Sequence, residues 1–340
     1  MKKILLLLLI AGIFACEQEQ LTNKNCIAPH TVPAVNVDTI LPLNLDCFDP
    51  ADFIHPPSIL QSERYQFHVP CFNPNDSTQI AYRLWDRNLQ ESSAWVFDFC
   101  TGESIFLAKC RPFSTIDWSI KDWIVYSGRD ANLWKIKPDG TEATQLTFLV
   151  GDFIFATRGA WDNQGERVLY QRMPNNQLII VGENGNILDS IPEINDSYRW
   201  AWMGNDAVLA TLSRNDPQHG IGYFDLNTRE YHNIDQTNFG TSYLDRIRDL
   251  IWLEEEQSIL WQTHTLIAKT NIHTLQRTVV KEGFPNARQY SGFGLSPDKE
   301  GFIVHRFDWE YANICSVFVR NHLYLMNIDG SYERRILLDW

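Results

Sequence analysis

The sequence predicts an all-β protein, a six-bladed β-propeller of four-stranded antiparallel blades, on three observations. The stretch Asn132–Phe148, NLWKIKPDGTEATQLTF, reads as strand, tight turn and strand, and His322–Leu337, HLYLMNIDGSYERRIL, is a near-copy of it. A second marker is a large apolar residue followed by a polar turn and a run of β-formers. It recurs at Phe72, Trp118, Trp161, Trp202, Trp252 and Leu295, with spacings of 46, 43, 41, 50 and 43 residues. Each unit then supplies third and fourth pieces, and a period of about 40–50 residues with four strands is what a propeller blade requires.

The elements follow in order. Unit one runs from Phe72 through Asn73-Pro74-Asn75-Asp76 to Ile80-Ala81-Tyr82, then Trp95–Phe99 closed by Thr101-Gly102. In unit two Trp118 leads to Trp123-Ile124-Val125-Tyr126 and then the Asn132 stretch. There Leu133, Trp134 and Ile136 are strand formers, and Pro138-Asp139-Gly140 turns the chain because Pro pre-sets the entry angle and Gly tolerates positive φ. Unit three pairs Trp161 and Val168-Leu169-Tyr170 with Leu178–Val181 and the Asn184-Gly185 turn; unit four pairs Trp202 and Val208-Leu209-Ala210 with Ile221–Leu226 and Asn227. Unit five has Trp252, Ile259-Leu260-Trp261 and Leu266–Ile272. Unit six has Leu295, Ser296-Pro297-Asp298, Phe302-Ile303-Val304 and Leu323–Ile328, with Ile328-Asp329-Gly330-Ser331 as its turn.

Leu133–Thr147 and Leu323–Leu337 resemble the strand, Asp-Gly turn and strand of TolB-type, WD-repeat-like propeller repeats, and Ser296-Pro297-Asp298 resembles their Ser-Pro-Asp-Gly turn. The resemblance covers roughly Tyr65–Trp340, carried by motif in two blades and by spacing in the middle ones. It implies architecture rather than activity, since propellers host many unrelated functions.

Lys2 and Lys3, the apolar run Ile4–Ile10 and then Ala11–Cys16 form an export signal over residues 1–15, too short to remain as a spanning helix. Ile13-Phe14-Ala15-Cys16 resembles a lipobox, which implies that Cys16 is the lipidated first residue of the mature chain; an ordinary cleavable signal or an uncleaved anchor are the alternatives. Glu17 and Glu19 resemble the tether start of some Bacteroidota surface lipoproteins. Residues 16–61, rich in Pro, Asn and Asp without a period, read as lipidated cysteine, tether and extended arm, and 62–340 as the propeller. TolB itself carries an α/β domain before its propeller, and this sequence leaves no room for one, so it is read as TolB-like and not as TolB.

Net charge is −13, and more negative without Lys2 and Lys3, which argues against nucleic acid or anionic headgroups as partners and leaves the lipid as the membrane contact. Beyond Cys16 stand Cys26, Cys47, Cys71, Cys100, Cys110 and Cys315, an even set suited to an oxidising compartment. Cys100 and Cys110 sit at opposite ends of one strand, too far apart to pair. Cys110 and Cys315 fall on one face of neighbouring blades if the ring closes, so a Cys110–Cys315 bridge, or one from the arm to either, would staple the closure; free buried thiols are the alternative.

Connections between blades and between second and third strands share one face. Arg87–Glu91, Arg214–His219, Phe307–Arg320, Thr237–Arg248 and Gly283–Gln289 are long there. Arg158, Arg199 and Arg248 lie three or four residues before the Trp of their blades, near the channel mouth. They suit a carboxylate, phosphate or acidic sugar, or else pair with Asp152, Asp196 or Asp249 and hold blades together. His219, His264 and His305 each follow a second strand and form a candidate metal set. Oligogalacturonate lyases are TolB-like propellers with a histidine-bound metal, but their blade count differs and the histidine spacing here is irregular. Trp309 and Tyr311, in Phe307-Asp308-Trp309-Glu310-Tyr311, are aromatic residues without a blade-wedge role; they form a contact surface or pack over the ring closure. No Gly-x-Ser-x-Gly elbow, phosphate loop or His-Glu-x-x-His pair is present, and no carboxylate pair stands out for glycoside hydrolysis.

The resulting expectation is a monomeric, lipid-anchored outer-membrane protein, on the periplasmic or the surface side. It acts as a non-enzymatic binding or scaffolding module for an envelope protein, peptide or glycan, with no catalytic residues assigned and no cofactor required. The alternative is a carbohydrate-active lyase or hydrolase of the envelope using the same face.

Overall fold

The computed structural model describes residues 26–35, 61–112, 114–151, 154–194, 199–211, 220–235, 247–283, 288–313 and 316–338. Two short strands come first, β1 (Thr31–Pro33) and β2 (Gln61–Ser62). Blade one is β3 (Tyr65–Asn73), β4 (Asp76–Asp86), β5 (Glu91–Asp98) and β6 (Glu103–Cys110); blade two is β7 (Ile116–Trp118), β8 (Ile124–Ser127), β9 (Leu133–Ile136) and β10 (Thr144–Gln145). Blade three is β11 (Phe155–Trp161), β12 (Arg167–Met173), β13 (Gln177–Gly182) and β14 (Ile187–Ile191); blade four is β15 (Trp200–Met203), β16 (Ala207–Thr211), β17 (Ile221–Asp225) and β18 (Tyr231–Asp235). Blade five is β19 (Asp249–Leu253), β20 (Ser258–Gln262), β21 (Leu266–Asn271) and β22 (Arg277–Glu282); blade six is β23 (Arg288–Leu295), β24 (Gly301–Asn313), β25 (Ser316–Asn327) and β26 (Arg334–Ile336). Every blade is an antiparallel meander, successive first strands are neighbours, and β23 lies beside β3, so the six-bladed ring closes.

Radial packing buries both faces of each sheet, which is why the second strands read as continuous apolar runs rather than alternating ones. Ile124, Val125 and Tyr126 are all buried, as are Ile259, Leu260 and Trp261. One apolar cluster fills each interface. Trp118 packs with Ala81 and Val96 between blades one and two, Trp161 with Val125 and Tyr170 between two and three, and Trp202 with Leu169 between three and four. Leu209 meets Ile259, Leu260 meets Phe302, and Ile303 meets Tyr82 across the remaining three. A buried Trp removes about 150–250 Å² from water, a gross contribution of about 4–6 kcal/mol, so these wedges dominate blade-to-blade adhesion.

The two sequence copies close alike. Asp139 Oδ1 accepts the Thr141 N–H at 2.9 Å, and Asp329 Oδ1 accepts the Ser331 N–H at 2.8 Å. Gly330 is required twice over: its φ is +82°, and a Cβ there would stand 2.1 Å from the Val280 carbonyl oxygen on the outer strand of blade five.

The segment before the propeller crosses the seam between blades six and one. β1 pairs outside β26, with Thr31 opposite Ile336, giving blade six a fifth strand. Arg334 donates from Nε to Thr31 Oγ1 and from a terminal nitrogen to Thr31 O, both at 2.7 Å. Cys26 is disulfide-bonded to Cys100, in the turn between β5 and β6 of blade one. β2 then runs parallel to β25 at Phe318 and Val319. A staple from the arm is therefore present, but it does not use Cys110. Cys110 ends β6 facing the wedge with blade two, so it is a buried free thiol, as is Cys71. Cys47 and Cys315 lie outside the described residues.

Phe307–Arg320 is not a loose connection. β24 and β25 go on pairing through it, Trp309 opposite Val319 and, past a register shift after Tyr311, Asn313 opposite Ser316, so it is a strand hairpin. At 13 and 12 residues these two strands are longer than any other second and third strands described, and their shared end lies on the loop face.

Candidate functional site

The channel is lined by the first strands, and its chemistry begins with two acids on them. Asp117, on β7, accepts the Trp161 N–H at 2.6 Å from the next blade. Asp249, opening β19, accepts the Phe293 N–H at 3.2 Å from blade six and the Leu250 N–H at 3.0 Å. Each carboxylate thus ties its own blade to the following one. Both keep some surface toward the channel while sitting deep among protein atoms. Burial pushes the Asp117 carboxyl up to about 6, opposed by the amides it accepts and helped by Asp249. Burial likewise raises Asp249, with Arg199 and Arg158 pulling the other way.

Of the three arginines, Arg158 and Arg199 act on Asp249, while Arg248 acts on His264. Arg158 lies in a bulge of β11 with φ +58°, between the register positions of Thr157 and Ala160, an irregularity of the kind that re-aims a side chain. Arg199 donates its Nε–H to the Arg248 carbonyl oxygen and its backbone N–H to Thr211 Oγ1 at 3.0 Å. Arg248 is buried at the end of the blade-five connection, and its own N–H reaches the Gln262 carbonyl at 2.6 Å. Of the acids proposed as local partners, Asp249 plays that role electrostatically for Arg199 and Arg158; Asp152 and Asp196 lie outside the described residues. The arrangement joins blades three, four and five by charge and by backbone hydrogen bonds.

Of the histidine set, His219 lies outside the described residues. His264 sits in the β20–β21 connection, and burial, followed by Arg248, lowers it to about 3. His305 does not follow the second strand: it is inside β24, buried, hydrogen-bonded through Nε2 to Asn321 Oδ1, and lowered to about 3 by burial. Its ring meets His68 edge-on at 4.7 Å. Its place differs from the expectation because β24 runs on through the segment that reads as a connection. Among the described residues no group of three or more His, Cys, Asp or Glu is arranged to hold a metal ion. Trp309 and Tyr311 have their backbones in β24, in its hairpin with β25, and their side chains lie outside the described residues.

Sequence reasoning passed over a repeating feature. The residue directly after each three-residue run in the second strand is polar and buried in every blade: Arg83, Ser127, Gln171, Thr211, Gln262 and His305. By strand alternation each faces the same interface as the middle residue of its run, one polar side chain per wedge on the loop-face side. Arg83 Nε, Ser127 Oγ and both polar side-chain atoms of Gln262 have no hydrogen-bond partner among the described residues. The signal was present as a polar residue ending each apolar run. Asp117 had no such signal, because an Asp before a Trp is indistinguishable from turn punctuation.

No protein-family model matches the chain, and no curated protein sequence matches it. Solved structures do. A chain of the nidogen/laminin complex aligns with TM-score 0.50 and 12% identity, over 79% of this chain and 90% of that one. A prolyl endopeptidase aligns with TM-score 0.53 and 9% identity, over 82% of this chain and 43% of that one. An oligogalacturonate lyase of Vibrio parahaemolyticus aligns with TM-score 0.48 and 14% identity, over 80% and 77%. At these identities the likeness is one of fold, and the class the structure defines is the six-bladed β-propeller.

Proposed function

We propose that the protein is a non-enzymatic, lipid-anchored binding or scaffolding propeller of a Gram-negative envelope, TolB-like and of Bacteroidota type, presenting its loop face to an envelope protein, peptide or glycan. The observation that carries this reading is the β24–β25 hairpin. It is the element that departs most from the blade repeat, and it places Trp309 and Tyr311 on the loop face. Part of the extra length holds β2 at Phe318 and Val319 across the seam, and the remainder, around Trp309 and Tyr311, is read as serving a contact beyond the ring. The channel charges support the same reading: Asp117, Asp249 and Arg199 spend hydrogen bonds on backbone groups of adjoining blades or connections. Cys16 supplies the anchor, and the outer membrane is the proposed location.

Fractionation of cells producing the wild type and Cys16→Ser tests the anchor: the wild type is expected in the membrane fraction and the variant in the soluble one. Metal content of the purified protein and of His264→Ala tests the binding-module reading. Stoichiometric metal lost in the variant would overturn it in favour of a carbohydrate-active enzyme.

A further inference from the structure

On the loop face, blades one and two enclose an open depression of about 430 Å³ that none of the contacts above uses. Its walls come from four elements that end there: Glu91 opens β5, Cys110 closes β6, Arg111 leads to blade two, and Arg129 lies between β8 and β9. Ser92 completes the floor.

The charges in and around this depression do not cancel. Glu91 is engaged by Lys109 at 2.8 Å and by Arg129 at 2.6 Å. Arg111 has no carboxylate within ion-pair distance among the described residues, and its guanidinium rests on the Phe155 ring at 4.0 Å. Ser92, in the lining, is 1% exposed with Oγ unpartnered, and Arg83, which does not line the depression but acts on Cys110 in its wall, is only 7% exposed with Nε unpartnered. Arg83 and Arg129 both act on the Cys110 thiol, which burial nonetheless pushes up to about 12, so that wall stays neutral rather than adding a negative charge. In a chain of net charge −13, three guanidinium groups gather here against one carboxylate that already has two partners. A guanidinium buried without a counter-charge is costly, and an arriving anion relieves that cost.

We propose that this depression is an oxyanion site, taking a carboxylate or phosphate group carried on a molecule of about monosaccharide size, with Arg111 and Arg129 as direct donors, Ser92 on the floor and Arg83 supplying charge from outside the lining. The planar fork of arginine suits both anions, and the volume falls in the range of small-molecule sites. The proposal requires only the folded propeller, so it stands or falls separately from the anchoring and partner reading.

The test is a titration of the ¹⁵N-labelled full chain, following arginine Nε–Hε signals by NMR, with D-glucuronate, inorganic phosphate and uncharged D-glucose at matched ionic strength. Saturable shifts of the Arg111 and Arg129 signals with glucuronate, phosphate or both are expected, and none with glucose. Saturation by glucuronate alone assigns the natural group as a carboxylate; saturation by phosphate alone assigns it as a phosphate. Arg111→Gln should weaken binding about tenfold or more, the loss of one charge-assisted contact, and Ser92→Ala should weaken it less. Arg111 is half-buried at the rim, so its variant is expected to keep the remaining spectrum of the fold. Shifts that fail to saturate at tens of millimolar, or that persist unchanged in Arg111→Gln, would overturn the proposal.

Discussion

Replacing Cys26 and Cys100 with serine removes the covalent tie between the N-terminal segment and blade one, and its cost can be worked from the chain. The bridge joins residues 74 apart in sequence. Closing a loop of that length in the unfolded chain is worth about 4.5 kcal/mol by loop entropy, just above the usual 2–4 kcal/mol for a disulfide. The native effect concentrates at the seam, because the same segment forms the fifth strand of blade six through Thr31–Pro33. Without the bridge, the segment keeps its strand pairing to blade six, and its hold on blade one falls to the packing of Ile27 and His30 near Phe97. Thermal unfolding followed by near-ultraviolet circular dichroism should show the double variant melting roughly 5–10 °C below the wild type. The wild type in reductant should fall to the same temperature, and the variant should not respond to reductant. A variant melting within about 1 °C of the wild type would refute the assignment of this arm as the ring's staple.

Asp117 gives a pH-dependent prediction. Its folded-state value of about 6 stands above the unfolded carboxylate value, so the folded protein binds the extra proton between those limits. Stability from this group is therefore fully present at low pH and is lost as pH rises through about 6. Asp117→Asn keeps an oxygen for the Trp161 N–H and removes the buried charge. The variant should gain on the wild type as pH rises from 4 to 7, by up to about 3 kcal/mol, and parallel denaturation profiles across that range would contradict the reasoning. Arg306 gives another: it is 1% exposed, pairs with Asp308 at 2.6 Å and Glu333 at 2.7 Å, and donates to the Val35 carbonyl of the arm. Arg306→Leu should cost about 3–5 kcal/mol in urea denaturation by leaving Asp308 without its cation and Glu333 with Lys281 alone, and adding Asp308→Asn should recover part of the loss.

The blades were legible because a propeller repeats its physics. Every unit needs an interblade wedge, an apolar second strand and a turn that tolerates positive φ, so Trp161, Val168-Leu169-Tyr170 and Gly330 carry their roles in their spelling. The seam was not legible in the same way. Pairing of Thr31 with Ile336 and of Cys26 with Cys100 depends on the ring having closed, a relation between distant residues that no local pattern encodes. The hairpin was misread because a blade-length period stops strands early. Phe307–Arg320 exceeds that period, yet its β-formers pair as readily as any others. The offsets of Arg158, Arg199 and Arg248 before the anchor Trp residues gave their chain positions beside the first strands. The meeting of Arg158 and Arg199 at Asp249 was not legible, since it follows from the bulge in β11 and from the tertiary placement of three blades.

The central claim is that the loop face, led by the β24–β25 hairpin, is the working surface. A photo-crosslinking amino acid placed at Trp309 or Tyr311 in whole cells, compared with the same group at Asp139 or Asn184 in turns on the opposite face, tests it most directly. Discrete higher-mass adducts from the hairpin positions and none from the turns are predicted. Adducts from the turns alone, or equally from both faces, would contradict it.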